Sequence, residues 1–171
     1  MAATNLGCTW RYNLFGATEP FRFPGSFVAG ATTAIKSGEI LVLAATTWAP
    51  LGADQSNVAT IAVMDNQEIR SGDLAGYHPI IIPRPGDVFE YALSAAAAPA
   101  IAAPLYWSTS QILATSGSNA LAYVVDESIF PQQGFQSVNP SFDAGTTIRT
   151  VSKVLIVFKA SVSYWLALQV A

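Results

Sequence analysis

From Ala160 onward apolar and polar side chains alternate: the even positions read Ala160, Val162, Tyr164, Leu166, Leu168 and Val170, the odd ones Ser161, Ser163, Trp165, Ala167 and Gln169. Period two predicts a half-buried strand. Just before it, "VLIVF" at 154–158 is apolar throughout and rich in β-branched residues, which suits a strand covered on both faces. Further strands are predicted at "EILVLA" (39–44), "ATIAVM" (59–64), "HPIII" (78–82), "DVFEYAL" (87–93), "LYWS" (105–108) and "LAYVV" (121–125). The separators carry turn formers: Ser37-Gly38, Ser71-Gly72, Pro85-Gly86, Ser116-Gly117 and Ala144-Gly145. Short strands punctuated in this way predict an all-β chain, a small β-barrel or β-sandwich with little helix.

Two pairs of segments resemble each other. "SGEILVLA" (37–44) matches "PGDVFEYA" (85–92), and "ATIAVMD" (59–65) matches "ALAYVVD" (120–126). They suggest a repeated unit that runs from a Gly-acid turn into one strand and ends with another at an aspartate; coincidence between similar strands is the other reading. Between the second pair lies "ALSAAAAPAIAAPLYW" (92–107), which holds no charge. A membrane-spanning helix needs about 20 apolar residues, and Pro99 and Pro104 interrupt this run. Interior proline also rules out a long soluble helix. Extended or irregular chain remains, with at most one helical turn near Ser94, and its small side chains allow another backbone to come close. Ala102 is thus a candidate contact with a partner chain.

The first thirty residues read as an extended N-terminal arm (1–30) ahead of a single β-domain (31–171), with barrel strands beginning near Ile35. Trp10, Tyr12, Phe15, Phe21, Phe23 and Phe27 fall there with Pro20, Pro24 and Gly25, at no helical or strand period. Large aromatics each bury on the order of 150–250 Å² and must pack on something. Either the arm folds across its own barrel or it reaches a neighbouring subunit. Arg11 and Arg22 within it are suited to interface contacts.

Composition sharpens this picture. Charged residues make up 11% of the 171, against about 25% in a typical soluble domain. Surface patches without charge must then be large, which favours a subunit of a larger assembly. The formal net charge of -3 and the absence of any Lys/Arg cluster argue against nucleic acid as a partner. Cys8 is the only cysteine, which excludes an intrachain disulfide and fits folding in a reducing compartment. "NLGC" at 5–8 lacks the basic start and apolar core of a signal peptide, so none is expected, and no membrane partner is expected either.

Catalytic groups are sparse. With His78 the only histidine, a His-rich metal site cannot form, and no cofactor is expected. His78 with Asp73 could enter a Ser-His-Asp arrangement, but no G-x-S-x-G elbow is present and Pro79 follows directly. A glycosidase-type carboxylate pair stays open. No phosphate or dinucleotide fingerprint occurs, so the expectation is a protein that is not an enzyme.

The succession "PGDVFEYAL", an Ala-rich connection, "LYWS" and "ALAYVVDES", with the aromatic start and the ending "SYWLAL", resembles the capsid decoration, or cement, proteins of tailed bacteriophages over roughly residues 35–170. The resemblance implies a small β-fold on the outer capsid surface of the virion, assembled in the host cytoplasm. It also implies a homotrimer that ties neighbouring major capsid protein subunits together. It carries over no catalytic residue. The competing reading is a glycan-binding or fibre-tip module, with Trp48, Trp107 and Trp165 as a stacking platform. An enzyme, third, needs a pocket at His78 with a carboxylate in reach.

Overall fold

The computed structural model describes residues 8–27, 35–52, 60–65, 76–97, 99–107, 113–118, 120–125 and 151–159. Every element there is a strand: β1 (Thr9–Asn13), β2 (Arg22–Phe27), β3 (Ile40–Ala44), β4 (Thr47–Pro50), β5 (Ile61–Met64), β6 (Gly76–Ile81), β7 (Asp87–Ala97), β8 (Pro104–Trp107), β9 (Leu113–Ala114), β10 (Ala120–Val124) and β11 (Val151–Phe158). The chain is all-β, as its period predicts. The alternation at 160–170 lies outside the described residues.

Strands β2-β4-β3-β5-β6 form a closed barrel. The other sheet, ordered β1-β7-β11-β10-β8-β9, closes as well, because β9 pairs with β7. Its ring is β7-β9-β8-β10-β11, with β1 added outside it. Numbered in chain order within each ring, both barrels run first-third-second-fourth-fifth and back to the first. In both, the first and third strands are parallel and every other pair is antiparallel. The chain is a tandem of two barrels of one topology.

The registers agree all the way around. Phe27 pairs with Trp48 as Leu93 does with Leu113, and Leu43 with Trp48 as Trp107 does with Leu113. Leu41 faces Ala62 as Leu105 faces Ala122. Met64 faces Ile80 as Val124 faces Ile156, and Ile80 faces Phe23 as Ile156 faces Phe89. Counting on from Phe23 and Phe89 returns to Phe27 and Leu93, where each circuit began. A bulge between Ala120 and Ala122 inserts Leu121, and a further register shift lies between Val151 and Lys153 at the start of β11.

The turn into the second strand of each barrel is repeated too. Gly38 (φ 79°) and Ala102 (φ 60°) both take the left-handed conformation. The Glu39 N–H donates to the Lys36 carbonyl (3.1 Å) and the Ala103 N–H to the Ala100 carbonyl (3.0 Å). The Gly38 N–H reaches the Met64 carbonyl and the Ala102 N–H the Val124 carbonyl, each at 2.9 Å. The repeat read from sequence is therefore half right. The β5/β10 match stands to within the bulge, whereas the counterpart of β3 is β8, not β7.

Burial explains the unbroken apolar runs. Alternate barrel-one residues, Phe27, Leu41, Trp48, Ala62, Met64 and Ile80, fill its interior. The intervening Ile40, Ile61, Val63 and Ile81 join a separate core with Phe89, Tyr91, Leu93, Leu105 and Leu113 of the second barrel. A strand buried on both faces has no reason to alternate. Each fully buried branched side chain contributes about 1.5–3 kcal/mol.

The expectation that barrel strands begin near Ile35 is corrected by β2, which opens the first barrel before that point. Its pattern is hidden by Pro24 and Gly25. Pro24 lies opposite Pro79, so neither member of that rung has an N–H to donate. Gly25 is needed for close approach, since a Cβ there would lie 2.8 Å from Ile80 Cδ1 and 3.0 Å from Trp48 Cδ1. β1 in turn pairs with residues 87–90 of β7. β11 takes one edge of β7, and β9 meets the other edge only at Leu93; β1 lines the part that two-residue β9 does not reach.

Candidate functional site

The aromatic N-terminal segment is held by both barrels. At its start the Cys8 N–H donates to the Gly38 carbonyl (2.7 Å), and after β1 the Leu14 N–H donates to the Gly86 carbonyl (2.8 Å). Both acceptors belong to Gly-acid turns. In each turn the acid's carboxylate accepts an N–H from three residues back: Lys36 to Glu39 Oε2 at 3.1 Å, Arg84 to Asp87 Oδ2 at 2.8 Å. This shared chemistry is what makes 37–44 and 85–92 look alike.

Asp87 is the polar centre of the segment. Buried to 1% exposure, its Oδ1 accepts the Trp10 indole N–H (3.0 Å) and the Asn13 amide (2.9 Å). Its Oδ2 accepts the Arg84 N–H and, at 3.2 Å, Arg84 Nε. Arg11 on the exposed side of β1 is bound to Glu90. Arg22, also exposed, donates through Nε to Asp65 Oδ2 at 2.7 Å. That hydrogen bond, and then the Asp65 charge, raise the guanidinium pKa further. Cys8 is buried, and desolvation followed by the nearby Glu90 charge pushes its thiol well above the ordinary 9.0. Its surroundings are those of a buried structural cysteine.

The candidate contact residues are distributed unevenly. Phe27 is buried inside the first barrel, edge-on to His78 with ring centroids 5.6 Å apart. Phe21 and Phe23 pack half-buried on that same core, and Trp10 on the other. Tyr12 is half-buried, and burial raises its phenol pKa. Only Phe15 projects: it is 78% exposed, beside Leu14 at 41%. Its ring lies over Gly86, where a Cβ would come within 2.6 Å of Phe15 Cδ2. The segment thus reduces to one apolar outcrop, Leu14–Phe15, on a braced turn. Ala102 is exposed in the turn described above, beside Ile101 at 61%. Leu14, Ile101 and Tyr77 (75% exposed) are apolar or aromatic surface residues that sequence reasoning missed. No local pattern marks them, because exposure depends on how the two barrels meet.

The alternative chemistries find little to build on. Trp48 is buried at 4% exposure, and the Trp107 indole N–H donates to the Gly52 carbonyl at 2.9 Å. Neither offers a free face and donor for a sugar, and Trp165 lies outside the described residues. The Nε2 of His78 is buried and makes no hydrogen bond among the described residues, and Asp73 lies outside them. Among the described residues no group of three His, Cys, Asp or Glu side chains could hold a metal ion, and no helix is long and apolar enough to cross a membrane. Comparison with known protein families, curated proteins and solved structures gives no match.

Proposed function

We propose that this chain is a structural virion protein that binds the outer surface of a bacteriophage capsid and stabilises it by bridging major capsid protein subunits, acting as a homotrimer without cofactor or catalysis. The observation that carries the reading is the Leu14–Phe15 outcrop. A large aromatic at 78% exposure is anchored on both sides, by the Leu14 N–H to Gly86 and by Asn13 Oδ1 accepting the Phe15 N–H at 2.7 Å. A pre-organised aromatic loses little conformational freedom when it enters a pocket on a partner, which is how interface anchors work. The 11% charge content fits a subunit much of whose surface is covered in an assembly.

The test is co-sedimentation with capsids lacking the subunit. Phe15→Asp is expected to lower retention by at least about tenfold, with the isolated protein's melt unchanged. Wild-type retention should be insensitive to moderate salt, because apolar burial and not exposed ion pairing carries the contact. Equal retention of the variant overturns the reading.

A further inference from the structure

Two β-turns lie side by side where the end of β1 meets the start of β7, and one side chain belongs to both. In Asn13–Gly16 the Gly16 N–H donates to the Asn13 carbonyl at 3.2 Å, with Gly16 at φ 90°. In Arg84–Asp87 the Asp87 N–H donates to the Arg84 carbonyl at 3.1 Å. Pro85 and Gly86 (φ 81°) occupy its corners, the order that marks a type II turn. The Leu14 N–H reaches from the first turn to the Gly86 carbonyl of the second at 2.8 Å.

Asn13 ties the two together. Its Oδ1 accepts the Phe15 N–H at 2.7 Å within its own turn. Its Nδ2 donates into the other turn, to the Pro85 carbonyl at 3.1 Å and to Asp87 Oδ1 at 2.9 Å. One donor and two acceptors around a single carboxamide fix which end is oxygen and which is nitrogen. Aspartate, the closest in shape, would turn an oxygen toward both acceptors. Further along, Arg84 Nη2 donates to the Glu19 carbonyl at 2.5 Å, so the chain is held against the Arg84–Asp87 turn on either side of Leu14 and Phe15.

Those two residues are the corners of the first turn, at 41% and 78% exposure. Most residues are compatible with turn corners, and nothing in the bonding of this turn calls for two large apolar side chains. The Phe15 ring is nevertheless placed. It lies over Gly86, where a Cβ would stand 2.6 Å from Phe15 Cδ2 and 2.8 Å from Cε2. The ring has its seat only because that corner is glycine.

We infer that Asn13 is the positioning residue of the partner contact: by bridging the two turns it keeps Phe15 seated on Gly86, in the pose that enters the partner. The inference rests on the Leu14–Phe15 outcrop being the capsid contact, and adds which side chain sets its pose. Asn13 acts through Phe15 and not by touching the partner. Without the carboxamide the Phe15 N–H turns to water and the turn is no longer tied to Pro85. The ring then samples positions that binding must narrow again.

The first measurement uses the isolated chain. Protons held over the face of an aromatic ring resonate upfield, so the Gly86 α-protons report whether Phe15 is seated. The upfield shift is expected in the wild type, should vanish in Phe15→Ala, and should shrink toward the Phe15→Ala value in Asn13→Ala, with cooperative melts throughout. Asn13→Ser keeps a weaker acceptor for the Phe15 N–H but cannot reach Pro85; its shift should fall in between, and it serves as the test if Asn13→Ala does not fold. The second measurement is co-sedimentation with capsids lacking the subunit. Asn13→Ala should lower retention about fivefold, the loss expected from ordering one more side chain on binding. In a Phe15→Ala background, at a capsid concentration that still retains part of the protein, the same substitution should change retention no further, because the two residues act as one unit. An unchanged Gly86 shift in Asn13→Ala overturns the inference, as does full retention of that variant where Phe15→Asp is lost; the decoration reading then stands alone. A further loss in the Phe15→Ala background also overturns it, since Asn13 would then meet the partner itself. Full retention of Phe15→Asp sinks the decoration reading instead, and the Gly86 shift still decides whether Asn13 seats the ring.

Discussion

Asp87 occupies a position where a carboxylate does more than any neutral side chain could. It accepts from Trp10, Asn13 and Arg84 at once, and so ties β1, the Gly86 turn and the start of β7 to a single side chain of 1% exposure. In Asp87→Ala the Trp10 indole N–H and the Arg84 N–H would be left part-buried without that acceptor. Leaving such donors unmade is expected to cost about 3 kcal/mol, measurable as a lower denaturant midpoint with an unchanged slope. Arg22–Asp65 is a useful contrast: its guanidinium is 48% exposed, and an exposed pair contributes little. A loss from Asp87→Ala no larger than that from Arg22→Ala would show that the buried hub is not structural. The sequence showed Asp87 as half of a Gly-acid turn, which is correct. That Trp10 and Asn13 also converge on it was not legible, because they come from 77 and 74 residues away.

At the scale of elements, the two barrels fill the same interior by different means. At the first-strand position where the first barrel has Gly25, the second has Tyr91. At the third-strand position the first has Trp48 and the second Leu113. Small with large in one barrel becomes large with small in the other. Volume is thus shared across facing positions, as close packing requires. Gly25→Ala places a Cβ 2.8 Å from Ile80 Cδ1 and 3.0 Å from Trp48 Cδ1, and overpacking of this kind is expected to cost about 1–3 kcal/mol. In a Trp48→Leu background Ile80 gains room to turn aside, so the added cost of Gly25→Ala should fall by about 1 kcal/mol. A double-mutant cycle on unfolding free energies checks it, and strict additivity would reject the compensation. The same exchange explains what the pattern of residues concealed. β2 reads as a turn because its interior position must be glycine. β4 and β9 are too short, at four and two residues, for a period to emerge. The turn at Ala102 does the work of Gly38 with neither glycine nor acid, so in sequence the Gly38 turn resembles the Gly86 turn, where those residues do occur. The strands that were legible are mostly those buried on both faces or long enough to alternate.

At the scale of the molecule, the question is whether two barrels of like topology behave as two domains or as one. The N-terminal segment answers it physically. Its Cys8 N–H caps the Gly38 carbonyl of the first barrel, β1 then lines β7 of the second, and β2 enters the ring of the first. Trp107 of the second barrel reaches the Gly52 carbonyl of the first, and the outward isoleucines of the first lie in the core of the second. Exposing either barrel would therefore leave Ile40, Ile61 and Ile81 in water, each at a cost of about 1.5–3 kcal/mol. Calorimetry of the chain should then give one transition, with calorimetric and van't Hoff enthalpies that agree. Deleting residues 1–27 removes β2 from the ring of the first barrel and β1 from the edge of β7, and is expected to abolish that transition, even though the sequence read alone treats the remainder as a self-sufficient β-domain. Two resolved transitions in the intact chain would show that the barrels unfold separately. A cooperative melt in the truncated chain would show that neither β1 nor β2 is needed for the fold.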